Sequence, residues 1–144
     1  MDYDFHKGQF TKVISLAMMY PLFVGIASQD QANKTVETLQ DFIHPGGLVT
    51  TLHHSGQQWD APNGWAPLQW IAFDGLCNYG FHDLAMDIAS GWIDNVKRIF
   101  QTTGKMLEKY NVEDITLPAG GGEYPVQDGF GWTNGVFLKL LKKL

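Results

Sequence analysis

Three of the chain's 15 acidic residues stand in unusual company. Asp60 lies in GQQWDAPNGWAP (56–67), Glu108 in MLEKYN (106–111) and Glu123 in PAGGGEYPVQDGFGW (118–132). Carboxylates brought together in one cleft can divide acid and base work between them. Each can equally be a solvated or capping group, the ordinary state of such residues. Beside Asp60, Trp59 and Trp65 offer flat polarisable faces, and Gln57, Gln58 and Asn63 offer hydrogen bonds. Stacking plus hydrogen bonding is what a sugar asks of a wall, with its apolar C–H face and hydroxyl rim. The competing reading has both indoles plugging the loop against helices. Glycines 120–122 let backbone approach closely before Glu123. They do not form GxGxxG and follow no strand pattern, which argues against a dinucleotide site.

Other chemistries find less support. His53 and His54 are neighbours, and adjacent side chains rarely converge on one metal without a carboxylate nearby. Ser55 completes the types of a Ser-His-Asp set but sits in no nucleophile-elbow context. Cys77 is alone, so neither an internal disulfide nor a cysteine zinc site can form. A net charge of −5 argues against a nucleic-acid partner, since phosphate binding needs a basic face. The longest apolar run, 13–27, holds Pro21 and Gly25 and is too short for a membrane span. No cofactor is expected. The opening MDYDFHKG lacks the basic region of a signal peptide, and the compartment, cytoplasmic or periplasmic or secreted, stays open.

The elements that must carry these residues are helical. Hydrophobic residues make up 44% of the chain and charged residues 17%, a globular balance. Val13, Leu16, Tyr20, Val24 and Ala27 recur at helical spacing and predict a helix over about residues 10–28, kinked at Pro21. Ser28 and Gln31 read as a capping box opening a second helix, stopped by HPGG at 44–47. Pro67 starts a third helix. A fourth begins near His82 and its apolar stripe predicts a run as far as Tyr110, with Glu108 at its end. Thr133 is placed to cap a last helix. With no sustained alternation the fold class is all-α. Helix pairs joined by long aromatic-rich loops suggest helical hairpins stacked in a ring or solenoid.

QQWDAPNGWAPLQW (57–70) resembles the QWD-x-P-x-x-W-x-P signature of the inverting α,α-trehalases, glycoside hydrolase family 37. GGGEYPVQDGFGWTNGV (120–136) is similar to their second Gly-rich block, and PGGLVTT and EKY fall where the family has them. The resemblance implies an (α/α)₆ toroid that cleaves trehalose into two glucose molecules with inversion. It assigns the general base to Glu108, contact with sugar hydroxyls to Glu123, and a place in or beside the sugar wall to Trp59, Gln58 and Asp60. Trp65 is expected to pack.

The family's general acid, an Asp in GWD-x-S-x-R-W, has no counterpart here, nor has its PGGRF segment, and Arg98 is the single arginine. The likeness therefore implies the C-terminal portion of such a domain, one segment over 1–144, inactive alone. Its expected partners are trehalose or glucose, and either a missing N-terminal portion or a second copy. Two other readings remain open at this point: a carbohydrate-binding module that does not cleave, and a non-catalytic helical interaction protein.

Overall fold

A computed structural model describes residues 3–119 and 124–144. A small hairpin, β1 (Tyr3–Asp4) with β2 (Gln9–Phe10), comes first. A 3₁₀ turn at Leu16–Met19 runs into the single-turn helix α1 (Tyr20–Phe23). Helix α2 (Gln29–Leu39) ends in a 3₁₀ turn and the tight hairpin of β3 (Ile43–His44) and β4 (Gly47–Leu48). After a long loop, β5 (Asn63–Trp65) leads straight into α3 (Ala66–Asn78). Helix α4 (His82–Thr103), β6 (Lys109–Asn111) and α5 (Gly131–Leu141) complete the chain.

Sequence and physics meet well over most of the helices. Ser28 Oγ accepts from the Gln31 amide at 3.2 Å, and Gln31 Oε1 accepts from the Ser28 amide at 2.8 Å. This reciprocal box contributes about 1 kcal/mol to the start of α2. Helix α3 has Pro67 in its first turn, where no backbone donor is missed. It is buried on most of its circumference because α1, α4 and α5 all pack on it. Helix α4 is amphipathic and turns Ile88, Trp92, Val96 and Ile99 into the core.

Three expectations are corrected. Residues 10–28 are not one helix. The Leu16 amide donates to the Thr50 carbonyl at 2.8 Å and Ser15 bridges Thr51, so this backbone is committed to sheet-like pairing. Val13, Tyr20 and Val24 are exposed, and only Leu16 of the supposed apolar face is fully buried. Helix α4 stops at Gly104, which takes φ 69°, a left-handed conformation cheap only for glycine. Glu108 is therefore not at a helix end but in a bend just before β6. Thr133 does not cap α5; it lies inside the first turn and its hydroxyl donates to the Leu107 carbonyl at 2.7 Å.

The segments around β3–β6 pack on the first half of α3 and on the middle of α4. Gln69, buried in α3, grips β4 with its whole amide: Oε1 accepts from the Leu48 amide at 2.9 Å, and Nε2 donates to the Leu48 carbonyl at 2.8 Å. Asn95 of α4 donates to the Asn111 carbonyl at 2.9 Å. Strands β5 and β6 pair antiparallel, setting Asn63 opposite Asn111, Gly64 opposite Tyr110 and Trp65 opposite Lys109. Gly64 is needed there: a Cβ would stand 2.5 Å from Val112 Cγ1 and 2.8 Å from the Leu48 carbonyl oxygen.

Candidate functional site

The β5–β6 ladder joins two of the segments singled out by residue type, and the strip just before β6 takes in the third. The Glu108 amide donates to the Gln127 carbonyl at 2.9 Å, the Gly129 amide to the Met106 carbonyl at 2.8 Å, and Leu107 bridges Asp128. Residues 106–111 thus run between the indole-bearing loop on one side and the second Gly-rich segment on the other.

Glu108 is 4% exposed, and both its carboxylate oxygens have donors. Oε1 accepts from the Tyr124 hydroxyl at 2.9 Å, and Oε2 lies 3.3 Å from the Lys109 ammonium. Its surroundings are aromatic and cationic. The Trp132 indole N–H donates to the Glu108 carbonyl at 3.2 Å, and Trp132 meets the Trp65 ring edge-on at 5.7 Å.

Trp59 and Trp65 differ in burial. Trp65 is 1% exposed and its N–H donates to the Gln58 carbonyl at 3.0 Å, so it packs, as expected. Trp59 stacks on it in parallel, with centroids 3.8 Å apart and planes within 3°, and stays 45% exposed. A buried indole thus supports a half-open one as a platform. Gln58 also accepts from Asn63 Nδ2 at 3.2 Å through its carbonyl, while its side-chain Oε1 lies 3.5 Å from the Lys109 ammonium.

Asp60 is turned into its own loop. Its Oδ1 accepts from the Thr51 hydroxyl at 2.6 Å and its Oδ2 from the Ser55 hydroxyl. Those hydroxyls, Ser55 first and Thr51 next, hold the carboxyl below its ordinary value, against a smaller opposing effect of burial. Ser55 is thereby engaged by Asp60 rather than by a histidine. His54 Nε2 lies 2.8 Å from Glu113 Oε2, and His44 Nε2 lies 3.8 Å from Glu113 Oε1. Glu123 lies outside the described residues.

Residue types mark Tyr124 and Trp132 in the second Gly-rich segment as stacking and hydrogen-bonding groups but do not join them to Glu108, and they do not point to Gln69. Their partners stand 16, 24 and 21 positions away, too far for any local pattern to report. Among the described residues no three His, Cys, Asp or Glu side chains gather as a metal site. No helix of the described residues is long and apolar enough to cross a membrane.

The helical hairpins and the loops that join them form part of an (α/α)₆ toroid, the fold shared with the solved structures that follow. The neutral trehalase Nth1 from Saccharomyces cerevisiae superposes with TM-score 0.83 at 31% identity, over 99% of this chain and 26% of that one. A mannosylglycerate hydrolase of family GH63 from Thermus thermophilus, in complex with glucose, shares the fold at TM-score 0.72 and 21% identity, over 99% of this chain and 34% of that one. The trehalase family model matches residues 1–144, and the chain belongs to the trehalase family. A putative periplasmic trehalase of Escherichia coli O157:H7 is 50% identical over 141 residues, 97% of this chain. The chain spans 25% of that protein's length.

Proposed function

We propose that residues 1–144 supply, as one segment, the general-base side and part of the glucose wall of an inverting trehalose hydrolase. The observation that carries this reading is the buried Glu108 carboxylate, held by Tyr124 and Lys109, whose ammonium also stands over Trp65 of the Trp59–Trp65 stack. In the proposed reaction Glu108 takes a proton from water as that water attacks one anomeric carbon. The bond from that carbon to the bridging oxygen breaks. The leaving oxygen receives its proton from an acid supplied by the rest of the family fold, across the roughly 6.5–9.5 Å that inverting enzymes leave for the water. Trp59 stacks on the apolar face of a glucose, and Gln58 lies at the edge of that wall. Glu123 completes the proposed hydroxyl contacts. Asp60 serves by holding the loop that presents Trp59, which narrows its part from sugar contact to support.

Trehalose hydrolysis by this chain, alone and joined to the remainder of the family fold, tests the reading. The chain alone is expected to release no glucose. The completed enzyme is expected to release one β- and one α-glucose, read by proton NMR before mutarotation. Glu108→Gln is expected to lower kcat by about 10²–10⁴-fold. Full turnover by the isolated chain, or an unaffected Glu108→Gln enzyme, refutes it. The exposed face of Trp59 supports a second reading, a sugar-binding module without cleavage. Calorimetric binding of trehalose by the chain, with no turnover once completed, selects that one.

A further inference from the structure

Lys109 was not among the residues singled out by type, yet it is 0% exposed. A lone ammonium removed from water costs several kcal/mol, so its partners decide whether it can stay. Among the described residues Lys109 Nζ has four, drawn from three parts of the chain. It lies 3.3 Å from Glu108 Oε2 and 3.5 Å from Gln58 Oε1. It also stands 5.5 Å above the Trp65 ring and 4.9 Å above the Tyr124 ring, both within cation–π range. The other end of the side chain is fixed as well, because the Lys109 backbone is paired opposite Trp65 in the β5–β6 ladder.

We propose that Lys109 is a positioning residue: its ammonium, fixed from the indole-bearing loop, sets the place and orientation of the Glu108 carboxylate. The proposal rests on the reading of Glu108 as the base. Among the described residues the carboxylate is restrained by Tyr124 on Oε1 and by Lys109 on Oε2, and these two are themselves in cation–π contact. Losing the second leaves the group free to swing about the first. A misplacement of about 1 Å in a reacting group can cost on the order of 10²-fold in rate. The same ammonium reaches Gln58 and the face of Trp65, the ring that carries Trp59. One cation therefore holds the platform and the base in a single arrangement.

Two measurements test this. In the completed enzyme, Lys109→Met keeps the apolar arm and removes the charge. It is expected to lower kcat at least about tenfold with KM within about threefold, since a transition-state interaction is lost rather than ground-state binding. Lys109→Arg keeps the charge but changes the donor geometry, and is expected to recover part of that loss. In the 144-residue chain, Glu108→Gln, Lys109→Met and the double substitution form a cycle read by urea unfolding. The combined effect on the folding equilibrium is expected to fall short of the product of the single effects by about tenfold or more. Simple multiplication of the single effects overturns the proposal, as does a folded Lys109→Met enzyme with unchanged kcat. Should Lys109→Met not fold, Lys109→Gln decides: wild-type kcat overturns the proposal, and reduced kcat at unchanged Tm sustains it. A completed wild-type enzyme that turns over no trehalose instead removes the reading of Glu108 as base, a separate result.

Discussion

At the scale of single residues, Asp60 and Tyr110 give the region opposite sensitivities to pH. Hydroxyl donors hold the Asp60 carboxyl below its ordinary value, so its contribution to stability is present above about pH 3.9 and is lost as pH falls through the folded-state value. Asp60→Asn is expected to cost about 1 kcal/mol near neutrality and to flatten the fall of Tm below about pH 4, measured by thermal melts across the acid range. A mutant with the wild-type acid slope contradicts that assignment. Tyr110 behaves in the reverse sense. It is fully buried, and burial pushes its phenol up to about 12. Its contribution is complete below about pH 10, the free phenol's value, and disappears as pH climbs through about 12. Tyr110→Phe is expected to remove that alkaline loss. It also strips the Leu107 amide of its acceptor, a 2.8 Å bond in the interior, at about 1–3 kcal/mol. Alkaline denaturation monitored by circular dichroism separates the two effects.

At the scale of elements, the ladder between β5 and β6 depends on the bare backbone at Gly64. Gly64→Ala drives a methyl group against Val112 and the Leu48 carbonyl, and is expected to destabilise by about 1–3 kcal/mol. Faster exchange of the amides of 63–65 and 109–111 than of those in α3 is the accompanying signature, read by hydrogen exchange. The sequence disclosed the long helices and concealed this ladder, for physical reasons. Helix α2 announces itself through Ser28 and Gln31, and α3 through Pro67, because capping and first-turn chemistry are local. Three-residue strands have no room to alternate, and the partner of Trp65 lies at Lys109, beyond the reach of any periodicity. The apolar spacing of 13–27 misled for a related reason: Ser15 and Leu16 meet Thr51 and Thr50, and that pairing outweighs helical preference. The expected run of α4 to Tyr110 likewise fails at Gly104, the left-handed residue that ends the helix. Glu108 and the two indoles were legible as types, whereas Tyr124 and Trp132 as their neighbours depended on long-range closure.

At the scale of the whole molecule, the groove between α4 and α5 matters most for behaviour in solution. It encloses about 300 Å³ and is lined by Val96, Phe100, Met106, Phe137 and Leu138, with Phe100 and Leu138 largely exposed. Apolar surface of this kind favours association. Sedimentation velocity of the chain is expected to show concentration-dependent self-association, and Phe100→Glu with Leu138→Glu to shift it toward monomer. A compact wild-type monomer at high concentration speaks against it. The pairing of Trp65 with Lys109 has a consequence at the same scale. Under the proposed function it makes the span from the Trp59 face to the Glu108 carboxylate a stepped length, since Trp59 stacks on Trp65 of β5 and Glu108 directly precedes Lys109 of β6. A slip of a single residue turns the side chains over, so the next workable setting lies two residues along, about 6.8 Å away. If the proposed sugar wall is right, gradual adjustment for a bulkier sugar is closed to this pair of strands, and such tuning falls to side chains facing it from elsewhere.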